Sequence, residues 1–216
     1  MGFISLEGGE EIRVEGGSMV SMSSGVTIET SATGGPLSSL SRKMFGSESF
    51  FHSTYQAPSG GGEIVVAPPL PGDMLNLRLN GSLMVQSGSY VASETQVTID
   101  TKWGGAKTFF ASEGLIMLRA SGQGQLLVSS YGAIHDMELA AGQRYTVDSG
   151  HLVAFSEGMD FRVRRIGGIK STLFSGEGLV VDLVGPGRLL MQSRSADQFL
   201  AWLIPQLPQP KRDFGD

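Results

Sequence analysis

The chain has no cysteine, which excludes thiolate metal sites, iron–sulfur clusters, cysteine nucleophiles and redox disulfides. Histidine is nearly as scarce: His52, His135 and His151 are the only three, and no H-x-H pair occurs. The metal signature expected of a cupin-like β barrel is therefore missing. Charged side chains make up only 17% of the 216 residues, with 16 basic against 21 acidic and a net charge of −5, so no nucleic-acid footprint is expected. The densest basic group, Arg162, Arg164 and Arg165, is interrupted by Val163 in a strand-like pattern. No apolar run approaches the ~20 residues of a spanning helix, and no basic stretch followed by a signal-length apolar segment opens the chain. Gly2 follows Met1, but Leu6 stands where an N-myristoylation signal has Ser or Thr. A soluble, cytoplasmic protein with no integral membrane segment is expected.

What the chain has in excess is glycine, 31 residues, about twice the usual ~7%. Such a content favours turns over long helices. The glycines fall in a repeating pattern. Ile12-Arg13-Val14-Glu15-Gly16-Gly17-Ser18-Met19-Val20, Leu83-Met84-Val85-Gln86-Ser87-Gly88-Ser89-Tyr90-Val91 and Tyr145-Thr146-Val147-Asp148-Ser149-Gly150-His151-Leu152-Val153 align without gaps at offsets of 71 and 62 residues. Residues two apart share one face of a strand, and the glycine between two such runs permits a turn or bulge. The spacing predicts a strand–turn–strand element written three times, with Gly88 and Gly150 in left-handed or bulged conformations.

Further strands follow in each copy. Val26-Thr27-Ile28-Glu29-Thr30 matches Val97-Thr98-Ile99-Asp100-Thr101, with Phe161-Arg162-Val163 as a weaker third. A second signature, an aromatic with a glutamate three residues later, appears at Phe45/Glu48, Phe110/Glu113 and Phe174/Glu177. Glycine pairs come next: Gly60-Gly61-Gly62, Gly122-Gln123-Gly124 and Gly185-Pro186-Gly187, each ahead of an apolar run. These predict hairpin turns leading into another strand.

The order divides the chain into residues 1–70, with a longer exposed loop at 31–43 (Ser31 to Lys43, containing Pro36), then 71–133 and 134–194, and a closing segment 195–216. Units of ~65 residues bury only about 60% of their unfolded surface, so a shared core or a pseudo-threefold packing is expected. The fold class is all-β, three tandem β-sandwich or short double-stranded β-helix units plus a C-terminal helix. That helix is signalled by the capping spacing Ser195–Gln198, the apolar Phe199, Leu200, Trp202, Leu203 and Ile204, and Pro205 as its stop.

No catalytic, cofactor-binding or metal-binding residue is assigned, no cofactor is expected, and the protein is expected not to be an enzyme. Asp148-Ser149-Gly150 looks like a nucleophile's surroundings, yet the aligned positions are Gln86-Ser87-Gly88 and Glu15-Gly16-Gly17, so the serine stands where a turn needs a small residue. No G-x-S-x-G elbow accompanies it. Gly185-Pro186-Gly187 lacks the G-K-[ST] of a phosphate loop, and its proline removes an amide donor. Glu48, Glu113 and Glu177 have three readings: acceptors for neighbouring turns, a shared cation site, or exposed surface. Lys107 and Lys170 are candidate ion-pair partners for them.

Gly167-Gly168-Ile169-Lys170 through Phe174-Ser175-Gly176-Glu177-Gly178-Leu179, followed by Gly185-Pro186-Gly187 and Gln192-Ser193, resembles the closing signature of the altered-inheritance-of-mitochondria family numbered twenty-four. The resemblance runs from about Glu7 to Ser193. It implies a monomer of three duplicated units similar to the small β fold of the tryptophan-attenuation RNA-binding protein, a TRAP-like arrangement, and assembly as trimers. It supplies no catalytic or ligand-binding residue. A scaffold or interaction protein acting as a homo-oligomer, with a possible further protein partner, is the leading expectation. The alternative is a small-ligand or ion-binding protein with its site at a unit or subunit junction.

Overall fold

The computed structural model describes residues 1–32, 51–100, 115–166 and 179–208. Six short strands open the chain: β1 (Gly2–Leu6), β2 (Glu11–Glu15), β3 (Met19–Met22), β4 (Thr27–Ala32), β5 (Phe51–Gln56) and β6 (Gly62–Val66). They pair antiparallel in two sets, β1-β6-β3 and β2-β5-β4. Alternation explains the faces. On β2, Ile12 and Val14 are buried while Glu11 is exposed.

The end of the chain repeats this scheme. Strands β11 (Ile134–Leu139), β12 (Arg144–Asp148), β13 (Leu152–Ser156), β14 (Asp160–Arg165), β15 (Leu179–Val184) and β16 (Gly187–Gln192) pair as β11-β16-β13 and β12-β15-β14. Between them lie β7 (Met74–Gln86), β8 (Tyr90–Glu94), β9 (Val97–Asp100) and β10 (Met117–Ser129). Here two 13-residue strands, β7 and β10, pair along their whole length. The first half of β10 also holds β9 and its second half holds β8, so each long strand serves as two of the short ones. The described residues are predominantly β-strand, with a short helix near the end of the chain.

Gly122 and Gly124 were expected to bracket a hairpin turn; both lie inside β10, with φ of 129° and 153°. Gly122 stands opposite Gly81, itself at φ 128°. A strand that changes partners halfway must twist sharply there, and glycine permits it. The other two glycine pairs do mark tight turns, but not hairpins. Gly60–Gly62 carries the chain from β5 to β6, and Gly185–Gly187, with a cis Gly185–Pro186 peptide, from β15 to β16. In both cases the flanking strands pair with different partners rather than with each other.

The strand–turn–strand elements are present as β2–β3, the end of β7 with β8, and β12–β13. Gly17 takes a left-handed φ of 93°, whereas Gly88 and Gly150 sit in 3-10 turns, Ser87–Ser89 and Ser149–His151, and do not have positive φ. A 3-10 turn uses ordinary negative φ values, so the glycines there answer to space rather than backbone conformation. A Cβ at Gly150 would collide with the Ser195 hydroxyl oxygen, while at Gly88 it would approach only the flexible Gln86 amide.

Among the described residues three apolar clusters form the core, and two of them take in residues from the next stretch of chain. Val91 and Ala92 of β8 join the cluster of Ile12, Val14 and Ile64. Val153 and Ala154 of β13 join that of Leu83, Val85 and Leu118. The connecting backbone pairs are Val14↔Ala92 and Val85↔Ala154. Arg13 reinforces the first junction by donating from Nη1 to the carbonyls of Thr95 (3.1 Å) and Val97 (3.0 Å). An exposed Arg119–Glu157 ion pair at 2.7 Å spans the second, where solvent screens it strongly.

Helix α1 (Ala196–Leu203) begins at Ser195, whose hydroxyl accepts from the Gln198 N–H at 3.5 Å. Pro205 lies in the 3-10 turn Ile204–Gln206 that follows. Phe199 meets the Tyr131 ring edge-on at 6.1 Å, while Trp202 and Ile204 remain exposed. No helix among the described residues is long and apolar enough to cross a membrane.

Candidate functional site

A concavity lies beside β12. It is a cleft of ≈520 Å³ whose walls include Ile134, His135, Tyr145, Val147, His151 and Met191. Three strands supply it. Antiparallel pairing of β11 with β16 places His135 opposite Met191, and the turn after β12 delivers His151. The two histidines, 16 residues apart in sequence, thus line one cleft. His52 lies elsewhere, buried on β5 opposite Glu15; its pKa is lowered by burial and by the Arg13 charge.

The histidines do not form a metal centre with the neighbouring carboxylates. His151 Nδ1 is 2.8 Å from the Gln192 carbonyl oxygen, which can only accept, so this nitrogen carries the proton and Nε2 is left as the acceptor. Asp148 Oδ1 accepts from the Gly150 N–H at 2.9 Å, and Asp136 is held by Arg188 at 2.6 Å. That guanidinium keeps the Asp136 pKa below its ordinary value. Among the described residues, no group of three or more histidines and carboxylates could hold a metal ion.

The bond between Asp148 and Gly150 also assigns the Asp148-Ser149-Gly150 segment a turn-closing role. Gln192 completes that turn, donating from Nε2 to the Gly150 carbonyl at 2.8 Å and accepting from the Tyr131 N–H at 2.8 Å. Of the basic group, Arg164 pairs with Asp182 at 2.5 Å. Glu48, Glu113, Glu177, Lys107 and Lys170 lie outside the described residues, as do residues 33–43 of the expected loop.

One carboxylate that no motif singles out is electrostatically unusual. Burial raises the pKa of Glu15, at the end of β2, from 4.5 to about 7, although the Ser18 hydroxyl opposes this by donating to it at 3.1 Å. The folded state therefore holds this proton more tightly than the unfolded chain. Stability contributed by the protonated form is present below pH 4.5 and is lost as pH rises to about 7. Glu15→Gln should raise stability at pH 8 by about 1–2 kcal/mol after solvent screening, with little change near pH 4. Thermal melts of both proteins at the two pH values check this; an equal effect at both would remove burial as the cause.

The strands define an all-β protein built on a recurring strand-pairing scheme. The family model for mitochondrial biogenesis AIM24 matches residues 1–194, and the chain belongs to that family. The match ends just before the Ser195 cap of α1. An uncharacterised protein of Streptococcus pyogenes serotype M6 is 29% identical over 214 residues, covering 95% of this chain and 86% of that protein. A crystal structure of a Streptococcus pyogenes protein, a structural-genomics target, matches with a TM-score of 0.80 at 28% identity, covering 95% of this chain and 93% of that one.

Proposed function

We propose that this chain is a non-enzymatic, cytoplasmic scaffold or interaction protein that acts as a homo-oligomer, a trimer of chains each made of three TRAP-like units. The units are residues 1–70, 71–133 and 134–194, with 195–216 as an appended helix and tail. The recurring strand pairing supports this division. The observation that carries the oligomer is apolar exposure on sheet edges: Val20 is 53%, Met22 40% and Tyr145 36% exposed, on strands that are outermost in their sheets among the described residues. Open edges with apolar side chains favour pairing with another chain. Sedimentation equilibrium at micromolar concentration should give three times 22.9 kDa. A mass of one chain would overturn the proposal.

The second reading, small-ligand binding at a junction, is favoured by the cleft with its two histidines. A stoichiometric small-molecule adduct in the native mass spectrum of freshly purified protein would favour it over the scaffold.

A further inference from the structure

A second hollow, of ≈220 Å³, opens where the start of α1 meets the strands. Its walls come from distant parts of the chain. The 3-10 turns Ser87–Ser89 and Ser149–His151, equivalent in the ungapped alignment, contribute Ser89 and Ser149, and the end of β10 contributes Ser129. The segment ahead of β7 adds Pro68 and Pro69. The space is far above the ~10–15 Å³ that one water needs. It is distinct from the histidine cleft: His151 lines that one, Ser149 and Gly150 line this one, and Gln192 is common to both.

The polar groups around this hollow divide into those already committed and those left over. Ser195 accepts from the Gln198 N–H, Ser130 donates to the Gly132 carbonyl at 2.6 Å, and both ends of the Gln192 amide are engaged, by Tyr131 and Gly150. Ser89 and Ser129 are different. Each is only 2% exposed and lines the hollow, yet neither makes a side-chain hydrogen bond among the described residues. Neither hydroxyl oxygen is sealed off, so each faces the open space. Gln86 adds an uncommitted amide. At the equivalent turn Asp148 accepts from the Gly150 N–H at 2.9 Å, whereas Gln86 makes no such cap. Buried hydroxyls normally find a partner, because leaving one unsatisfied costs more than the bond returns. Two of them and an amide on one hollow point to a partner from outside the chain.

The chemistry of the walls narrows the class. Among the described residues no lysine, arginine or histidine lines the hollow, so an anion would bring a charge with nothing to balance it. A cation would find one carboxylate, Asp197, which is exposed and therefore screened. Hydroxyls and amides both donate and accept, which suits ligand hydroxyl groups in either direction. Pro68, Pro69, Leu70 and Leu152 supply apolar surface for carbon–hydrogen faces. We propose that the hollow binds a small neutral polyhydroxy compound, a polyol or monosaccharide, through the hydroxyls of Ser89 and Ser129 and the amide of Gln86. This takes the small-ligand reading above, on which it rests, to a site other than the histidine cleft. Part of the wall, Ser195 to Asp197, lies beyond the span matched by the family model, so the site is completed by the appended segment.

Ligand-observed saturation-transfer NMR on the full chain, with glycerol, ribitol and glucose as probes, tests the site. The expected result is saturable binding of at least one probe, weakened at least about fivefold by Ser89→Ala and by Ser129→Ala, the worth of one hydrogen bond. Ser59→Ala, on an exposed turn, should leave binding unchanged. Melting curves separate this from a structural role, since a hydroxyl with no partner in the fold can be replaced by alanine without lowering the melting temperature of the ligand-free protein. A clear fall in either variant assigns that hydroxyl to the fold and overturns the proposal. So does the absence of saturable binding by every probe at tens of millimolar, which leaves the hollow to water. Binding that survives both serine variants overturns this site; its loss in His135→Ala then leaves the small-ligand reading standing at the histidine cleft. Tighter binding of inorganic phosphate than of all three probes overturns the neutral class.

Discussion

Valine in place of Gly122 is expected to cost more than about 3 kcal/mol, while valine at Gly81, directly opposite on β7, costs about 1–2 kcal/mol. Both glycines hold positive φ, 129° and 128°, so both substitutions carry the backbone strain of a conformation that side chains avoid. They differ in surroundings. A Cβ at Gly81 meets nothing within 4 Å, but at Gly122 it would press into the carbonyl oxygen of Gln96 and come within 3.5 Å of Val97 Cα. Those atoms are backbone, and Val97 is held by its pairing with Gly122 itself, so they cannot move aside without loosening β9. Urea unfolding of the two variants measures the difference. Equal losses would mean that strain alone sets the cost and that β9 yields easily.

The same pair of glycines shows where the sequence was legible and where it was not. Alternation at Ile12/Val14, Val97/Ile99 and Val163 located strands because one-sided burial writes itself into every second residue. The Ser195 cap was equally readable, since capping depends on local spacing. Gly122-Gln123-Gly124 misled because two glycines before an apolar run look alike in a turn and at a twist within a long strand. Only the partner on the other side, Gly81, distinguishes them, and that is a pairing across 41 residues. Gly88 and Gly150 aligned with Gly17, yet only Gly17 uses its conformational freedom.

The cleft was illegible for a related reason. His135 and His151 share it through the β11–β16 pairing and the closing turn, not through any short motif. Glu15 carried no warning either, because its raised pKa comes from burial at a strand end rather than from a neighbouring acid. Nor could sequence tell Val20 from Val91 and Val153. The three valines occupy one alignment position, and whether each is covered depends on which stretch of chain follows it into the neighbouring cluster. Met22, an exposed apolar residue aligned with Ser93 and Phe155, was the available sign that this face is meant to be covered.

The three valines also separate the internal junctions from the open edge at β3. Val91 and Val153 are fully buried and Val20 is 53% exposed. Aspartate at either buried position would place a charge inside an apolar cluster. The expected loss is at least about 4 kcal/mol, enough to prevent folding in a domain of ordinary stability. At Val20 the same carboxylate stays in water in the single chain, and the cost to its fold is within about 0.5 kcal/mol.

The decisive measurement is urea unfolding of Val20→Asp, Val91→Asp and Val153→Asp, each at concentrations low enough to keep the chains separate. The account predicts that Val91→Asp and Val153→Asp are unfolded or strongly destabilised, while Val20→Asp unfolds at a midpoint close to that of the dissociated parent chain. If Val20→Asp lost as much stability as the other two, β3 would already be covered within its own chain, and the exposed apolar edge on which the oligomer rests would not exist.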